Sequence, residues 1–163
     1  MSQTICLYAG SFDPVTNGHL SLIRRAALRF DKVFVAVMRN SAKQGAFPVG
    51  ERLRMLAEVC APFKNVRVLA AEGLTSALAA QLNATVLIRG LRGLQDLDSE
   101  LAMAKINRRL NPELETIFFP PEEGCEAVSS SLVRELASLG GNIDQFVPPQ
   151  VRDEIIEHYK REG

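Results

Sequence analysis

Short apolar segments alternate with segments of helical periodicity along nearly the whole chain. The predicted strands are rich in β-branched or aromatic residues and cover 4–8, 32–38, 65–69, 85–89 and 116–119. The predicted helices cover 20–30, 50–61, 75–82, 96–110, 130–139 and 149–161. Strands that are apolar almost throughout are buried on both faces, as in a parallel sheet covered by helices. The pattern therefore predicts an α/β fold with a doubly wound, five-stranded parallel sheet.

Length and charge narrow the possible functions. The chain has 163 residues with no long linker and no repeat, so we expect one domain over residues 1–163. Its 19 basic and 19 acidic residues give a formal net charge of zero. Proteins that follow a nucleic-acid backbone usually carry an excess of basic residues, so a nucleic-acid partner is disfavoured.

The cysteines and the apolar segments indicate the cellular compartment. Cys6, Cys60 and Cys125 lie far apart and form no C-x-x-C pair, a pattern typical of reduced thiols rather than of disulfides or a zinc site. The N-terminus shows no secretory signal, and the longest apolar run, 33–38, is too short to span a bilayer. We expect a soluble, cytoplasmic protein without a membrane partner.

The loop between the first predicted strand and the first helix has the features of an anion site. It reads Gly10-Ser11-Phe12-Asp13-Pro14-Val15-Thr16-Asn17-Gly18-His19. Gly18 and His19 fall at the start of the helix, where unpaired N–H groups and the helix dipole favour anions. The alternative is a histidine that only caps the helix. The surrounding motif favours a functional histidine.

Further polar loops follow the second, fourth and fifth predicted strands. They carry Lys43, the run Arg89-Gly90-Leu91-Arg92, and the serines 129–131. In an open parallel sheet, ligands bind outside the carboxyl ends of the strands, so these loops should line one crevice. Two arginines beside a glycine suit a polyphosphate. The alternatives are a surface turn paired with Asp96 or Asp98 and, for the serines, a simple helix start.

Four blocks in this order resemble a known family. The first two, G-S-F-D-P and T-N-G-H, are followed by R-G-L-R and then S-S-S-L-V-R. Together they are similar to the T/H-x-G-H nucleotidylyltransferases and, among these, to the bacterial phosphopantetheine adenylyltransferase family, over nearly the whole chain. The resemblance implies a Rossmann-like nucleotidylyltransferase fold. It also implies transfer of the adenylyl group of ATP to 4′-phosphopantetheine by direct in-line displacement, giving dephospho-coenzyme A and pyrophosphate without a covalent enzyme intermediate.

The same resemblance implies roles for individual residues. His19 would stabilise the transition state, with Lys43 and Arg92 as further catalytic residues. The phosphopantetheine site would consist of Ser11, Lys43, Thr75 and Arg89. The ATP site would consist of Ser11, Phe12, Gly18, His19, Gly90, Leu91, Arg92, Glu100, Cys125, Glu126, Ala127, Val128, Ser129, Ser130 and Ser131. Mg²⁺ would accompany ATP without protein ligands, the assembly would be a homohexamer, and coenzyme A is a candidate feedback ligand.

One segment departs from the family pattern. Residues 122–127 read Glu-Glu-Gly-Cys-Glu-Ala where the family is rich in aromatic residues, so acidic groups are expected beside an anionic ligand. Two rival functions remain open. One is a nucleotidylyltransferase acting on nicotinamide mononucleotide, or with CTP on a phosphorylated alcohol. The other is a regulatory module that binds the nucleotide without turnover. A purely structural protein is disfavoured.

Overall fold

The computed structural model describes residues 3–162, in which five strands alternate with helices along the chain. The strands are β1 (Ile5–Gly10), β2 (Lys32–Arg39), β3 (Val66–Glu72), β4 (Val86–Gly90) and β5 (Glu115–Phe119). The helices are α1 (Asn17–Ala27), α2 (Val49–Cys60), α3 (Thr75–Gln81), α4 (Leu94–Leu110), α5 (Ser130–Ser138) and α6 (Pro149–Glu162). The element order predicted from the sequence is confirmed.

All five strands are parallel and lie in the order β3-β2-β1-β4-β5. Leu7 of β1 pairs with Phe34 of β2 on one side and with Leu87 of β4 on the other. The chain therefore winds outward in one direction to β3 and in the other direction to β5. This arrangement confirms the doubly wound sheet and places the topological switch point between β1 and β4.

Side chains that alternate along each strand form a core on both faces of the sheet. Cys6 and Tyr8 of β1 belong to the larger core cluster, which also contains buried residues of α1, α2, α5 and α6. Leu7 and Ala9 belong to the smaller cluster, which includes Leu78 and other residues near α3. Both faces of β1 are thus buried, which explains why its sequence is apolar throughout.

The predicted boundaries differ from the observed ones by at most three residues, as at both ends of α1 and at the end of β3. The apolar periodicity begins at Leu20, but the helix begins at Asn17 because Thr16 caps it. β1 extends to Gly10 and β3 to Glu72, beyond the predicted ends, as their backbones continue the ladder with β2. Within residues 3–162, no helix combines the length and the apolar character that crossing a membrane requires.

Candidate active site

Two cavities open at the carboxyl edge of the sheet, beside the switch point. The first has a volume of about 380 Å³ and the second a volume of about 320 Å³. Both are lined by Ala9, Gly10 and Ser11 from the end of β1 and by Arg89 and Glu100. The two cavities therefore meet at the β1–α1 loop, and each falls within the size range of small-molecule sites.

Most of the predicted site residues line these cavities. The first cavity is lined by Ser11, Gly18, His19, Arg89, Gly90, Leu91, Arg92, Glu100, Cys125, Val128, Ser129, Ser130 and Ser131. The second is lined by Ser11, Thr75, Arg89 and Glu100. The side chains of Phe12, Lys43, Glu126 and Ala127 line neither cavity. The loops expected to share one crevice are thus brought together, with the exception of the tip that carries Lys43.

His19 occupies the third position of α1 and takes part in its cap. The backbone N–H of His19 donates to the Thr16 hydroxyl at 3.3 Å, and the backbone N–H of Thr16 donates to Nδ1 of His19 at 3.0 Å. These two bonds form a reciprocal capping box in which the imidazole replaces the usual Glu or Gln. The helix-cap alternative raised from the sequence is therefore correct, yet it leaves the other ring nitrogen available.

The cap also determines the protonation state of His19. A backbone N–H can only donate, so Nδ1 must be the unprotonated nitrogen, and the neutral ring then carries its proton on Nε2. Burial, followed by the positive charges of Arg89 and Arg92, lowers the pKa of His19 from 6.5 to about 4. At neutral pH the residue is thus a neutral Nε2–H donor at the wall of the first cavity.

An aromatic cluster fixes the orientation of this ring. Phe12 packs edge-on against His19, with ring centroids 4.8 Å apart, and against Tyr8 at 5.1 Å. Phe12 is fully buried and has a positive φ of 45°, a conformation that is costly for a bulky residue. A contact of Phe12 with a nucleotide would therefore have to use its backbone, because its side chain belongs to the core.

Arg89 is held rigidly at the junction of the cavities. Its Nε and Nη2 donate to the two carboxylate oxygens of Glu100 at 2.9 and 2.7 Å, and its Nη1 donates to the Ala9 carbonyl at 2.8 Å. Hydrogen bonding to Glu100 raises the pKa of Arg89. Glu100, expected on the ATP side, lies at the border of both cavities and positions the arginine through a bidentate pair.

Arg92 pairs with Asp96, which lies in the first turn of α4. Its Nε lies 3.1 Å from Oδ2 of Asp96, and hydrogen bonding from Arg92 lowers the pKa of that carboxyl. This pair was the alternative suggested for the arginine turn, and the structure confirms it. Both residues line the first cavity and remain partly exposed, so the pairing coexists with access to a ligand.

The serine segment both starts a helix and lines the first cavity. Ser129 caps α5 by accepting a hydrogen bond from the Leu132 N–H at 3.1 Å. Ser130 donates to the Pro14 carbonyl at 2.8 Å, which ties this segment to the β1–α1 loop. The two interpretations of the serines are compatible, because a helix N-terminus that faces a cavity also offers N–H groups to an anion.

The loop that carries Lys43 is anchored at its far end by a buried polar network. Asp13 accepts hydrogen bonds from the backbone N–H groups of Ala46 and Phe47 at 2.8 and 2.9 Å. Arg52 donates to the carbonyls of Phe47 and Ser11 at 2.9 and 2.8 Å. Asp13 thus joins the first loop to the second. Lys43 itself lies at the exposed tip.

Sequence reasoning missed Arg134, which lines the first cavity. Its Nη1 donates to the Asp13 carbonyl at 2.7 Å, and its Nη2 donates to the Ser131 hydroxyl at 3.2 Å. The signal was present, because residues three apart lie on the same face of a helix, and Ser131 had been assigned to the site. Tyr8, Asp96 and Glu122 also line this cavity without having been predicted as site residues.

Acidic and sulfur-bearing side chains do not form a metal cage here. Among residues 3–162, no group of three or more His, Cys, Asp or Glu side chains is placed to hold a metal ion. Asp96, Glu100 and Glu122 line the first cavity, but each carboxylate is paired with an arginine.

Comparison with known proteins identifies the family of the chain. Residues 7–136 match the model of the cytidylyltransferase-like family. The phosphopantetheine adenylyltransferase of a Synechococcus species is 48% identical over 155 residues, covering 95% of this chain and 98% of that protein. The protein of the same name from Finegoldia magna is 41% identical over 159 residues, covering 98% of each chain.

Solved structures share the fold at low sequence identity. A putative nicotinate-nucleotide adenylyltransferase from Vibrio parahaemolyticus superposes with a TM-score of 0.72 at 18% identity, covering 99% of this chain and 98% of the other. The Plasmodium falciparum nicotinic acid mononucleotide adenylyltransferase in complex with NaAD gives a TM-score of 0.68 at 16% identity, with coverages of 99% and 96%. The structures establish the fold, and the sequence matches establish that the chain belongs to the cytidylyltransferase-like family and, within it, to the phosphopantetheine adenylyltransferases.

Proposed function

We propose that this chain transfers the adenylyl group of ATP to 4′-phosphopantetheine, giving dephospho-coenzyme A and pyrophosphate. The observation that carries the proposal is the pair of cavities that meet at Ser11 and Arg89, beside a neutral histidine donor. A reaction between two phosphorylated substrates needs two adjoining anion sites with a hydrogen-bond donor near their junction. The sequence identity to relatives named phosphopantetheine adenylyltransferase supports this choice of substrates.

We propose that each cavity holds one substrate. The first would hold ATP, because the N-termini of α1 and α5 and the side chains of Arg92 and Arg134 converge there. The second would hold the acceptor, with Thr75 and Asn107 in its wall and the phosphate next to Arg89. Lys43 would reach the acceptor phosphate from its loop, which requires movement of the exposed tip toward the cavity.

The reaction needs no nucleophile from the protein. The acceptor phosphate would attack the α-phosphate of ATP in line, and pyrophosphate would leave from the opposite side. Holding both reactants in this geometry can supply about 7–11 kcal/mol through avoided loss of translational and rotational freedom. The Nε2–H of His19 and the guanidinium of Arg92 would stabilise the negative charge that develops on the phosphoryl oxygens.

We propose that Mg²⁺ enters with the nucleotide. The carboxylates of the first cavity are occupied by arginines, so oxygen atoms of the triphosphate and water would supply its ligands. When bound, the ion would neutralise part of the phosphate charge. The residues of this chain would then orient the phosphates through N–H groups at the starts of α1 and α5.

We further propose a homohexamer, which the exposed surface of α4 supports. This helix leaves several large apolar side chains in water: Leu94 is 87% exposed, and Met103, Ile106 and Leu110 are 50–56% exposed. Met103, Ile106 and Leu110 are three and four residues apart and therefore share one face of the helix, and an exposed apolar face is typical of an interface. Light scattering after size-exclusion chromatography should give a mass of about six chains, and a monomeric mass would contradict the proposal.

Two smaller proposals concern regulation and location. Coenzyme A, which contains the adenylyl and phosphopantetheine groups of the two substrates, would occupy the two cavities as a feedback ligand. Its addition should inhibit turnover in competition with both substrates, and a lack of inhibition would contradict this role. A cytoplasmic location is supported by Cys6, Cys60 and Cys125, which are all free thiols.

Pyrophosphate release tests the proposed function. We expect the purified protein with Mg²⁺ and ATP to release pyrophosphate only when 4′-phosphopantetheine is present. Nicotinamide mononucleotide as acceptor, and CTP with a phosphorylated alcohol, serve as substrate controls. Release with either control alone would assign the chain to a rival reaction of the same fold. Binding of ATP without any release would indicate a regulatory module.

A further inference from the structure

The segment between β5 and α5 forms one wall of the first cavity. Pro121, Glu122, Cys125 and Val128 all contribute to this wall. Residues 120–129 contain no helix or strand, and Gly124 turns the chain with a φ of +83°. In the described part of the chain, the hydrogen bonds that tie residues 120–128 to other elements come from α1. The position of this wall therefore depends on α1.

Two consecutive arginines in the last turn of α1 hold the segment. Nη2 of Arg24 donates to both carboxylate oxygens of Glu122, at 2.8 and 2.7 Å. Nη1 of Arg25 donates to the Pro120 carbonyl at 2.6 Å, and its guanidinium lies 4.7 Å from the ring centre of Phe119. Because the first turn of α1 carries His19, a single helix of 11 residues carries both the histidine and the arginines that hold this wall.

The charge of Glu122 makes the arginine important for an anionic ligand. The neighbouring Ser21 hydroxyl and the Arg24 guanidinium lower the pKa of Glu122, so its carboxyl is ionised at neutral pH. An unpaired carboxylate in the wall of this cavity would repel a polyphosphate. Arg24 offsets that charge from the outer side, where its side chain is 55% exposed. This pairing explains how an acidic segment is tolerated in a nucleotide site.

We propose that Arg24 is a positioning residue for nucleotide binding, which holds the wall at residues 120–129 against α1 and neutralises Glu122 within it. The inference rests on the assignment of ATP to the first cavity. Arg24 does not line the cavity and touches no reacting atom, so its contribution should appear in nucleotide affinity and not in the chemical step.

A double-mutant cycle tests this role. The dissociation constant of ATP with Mg²⁺ is measured by isothermal titration calorimetry for the wild type, Arg24→Gln, Glu122→Gln and the double variant. We expect Arg24→Gln to weaken binding about threefold to tenfold when Glu122 is present, and less than twofold in the Glu122→Gln background. The KM for ATP should rise in parallel, with kcat within twofold of the wild type. In 0.5 M NaCl the effect should shrink, because the pair is exposed.

Arg54→Gln is the matched control. Arg54 pairs with Glu154 between α2 and α6 at similar exposure, and neither residue lines a cavity. This variant should bind ATP like the wild type. The inference would be overturned if Arg54→Gln weakened ATP binding as much as Arg24→Gln does. It would also be overturned if Arg24→Gln had the same effect with Glu122 and with Gln at that position, or if it lowered kcat without changing the affinity for ATP. Calorimetry needs no acceptor, so it tests the role of Arg24 even if phosphopantetheine-dependent turnover, which tests the proposed function, fails.

Discussion

The structure predicts that His19 acts as a neutral hydrogen-bond donor, and His19→Ala tests this directly. Nδ1 accepts a hydrogen bond from the backbone N–H of Thr16, so the catalytic contact that we propose would come from Nε2–H. Loss of one such donor from a transition-state site lowers kcat by about 10²–10³-fold. The variant also loses half of its capping box, which should reduce the free energy of unfolding by about 1 kcal/mol.

The protonation state has a consequence for stability that can be calculated. The folded protein lowers the pKa of His19 from 6.5 to about 4, so between these values the unfolded chain binds more protons than the folded one. The stabilisation is therefore complete above pH 6.5 and is lost as the pH falls toward 4. The full difference would correspond to about 3 kcal/mol, and we expect somewhat less because the ring is partly open to the cavity.

The assay is urea unfolding of the wild type and His19→Ala at several pH values from 7.5 to 4. The stability advantage of the wild type should shrink and then reverse as the pH falls, because alanine does not titrate and the loss on protonating His19 exceeds the contribution of the cap. The other histidine, His158, is present in both proteins, so its contribution cancels. Parallel stability curves would refute the lowered pKa. His19→Gln is the control for the cap. It should restore stability, because Gln at this position completes a capping box, but its kcat should remain at least tenfold below that of the wild type.

Three other substitutions test neighbouring parts of the site. Glu100→Gln removes the charge that positions Arg89 and should lower kcat/KM for the acceptor about tenfold. An unchanged kcat/KM would show that Arg89 needs no ionic partner. Asp13→Asn leaves the buried Arg52 without its carboxylate and should lower the free energy of unfolding by about 3 kcal/mol in chemical denaturation. Lys43→Ala should raise the KM for the acceptor and change the free energy of unfolding by less than about 0.5 kcal/mol, and an unchanged KM would remove Lys43 from the proposed site.

The predictable part of the fold follows from local chemistry. Apolar runs and helical spacing depend on neighbours within a few residues, so the order of the strands and helices could be predicted from the chain alone. The sequence also predicted that the polar loops lie at one edge of the sheet, because parallel strands place their carboxyl ends on the same side. This is why His19, Arg89 and the serine segment were expected together, and why the structure places all three around one cavity.

The contacts that give these residues their roles join parts of the chain far apart in sequence. Arg24 and Glu122 are 98 residues apart, and Arg134 reaches the Asp13 carbonyl over 121 residues. No local periodicity encodes such pairs, because they depend on which parts of the chain folding brings together. The strands that precede α1 and the β5–α5 segment, β1 and β5, are separated in the sheet only by β4. The sheet order β3-β2-β1-β4-β5, which arises only when the strands pair, creates that proximity.

The histidine illustrates the same division within a single residue. Its presence after Gly18 at a helix start could be read from the sequence, and so could its suitability for an anion site. Its neutral state, its tautomer and its orientation depend on burial, on the Thr16 cap, on Phe12 and on the two nearby arginines. Sequence specifies which groups are available, because side-chain chemistry and local periodicity are properties of the chain. The folded structure determines the charge state and the orientation of each side chain, because both depend on desolvation and on neighbours that folding brings together.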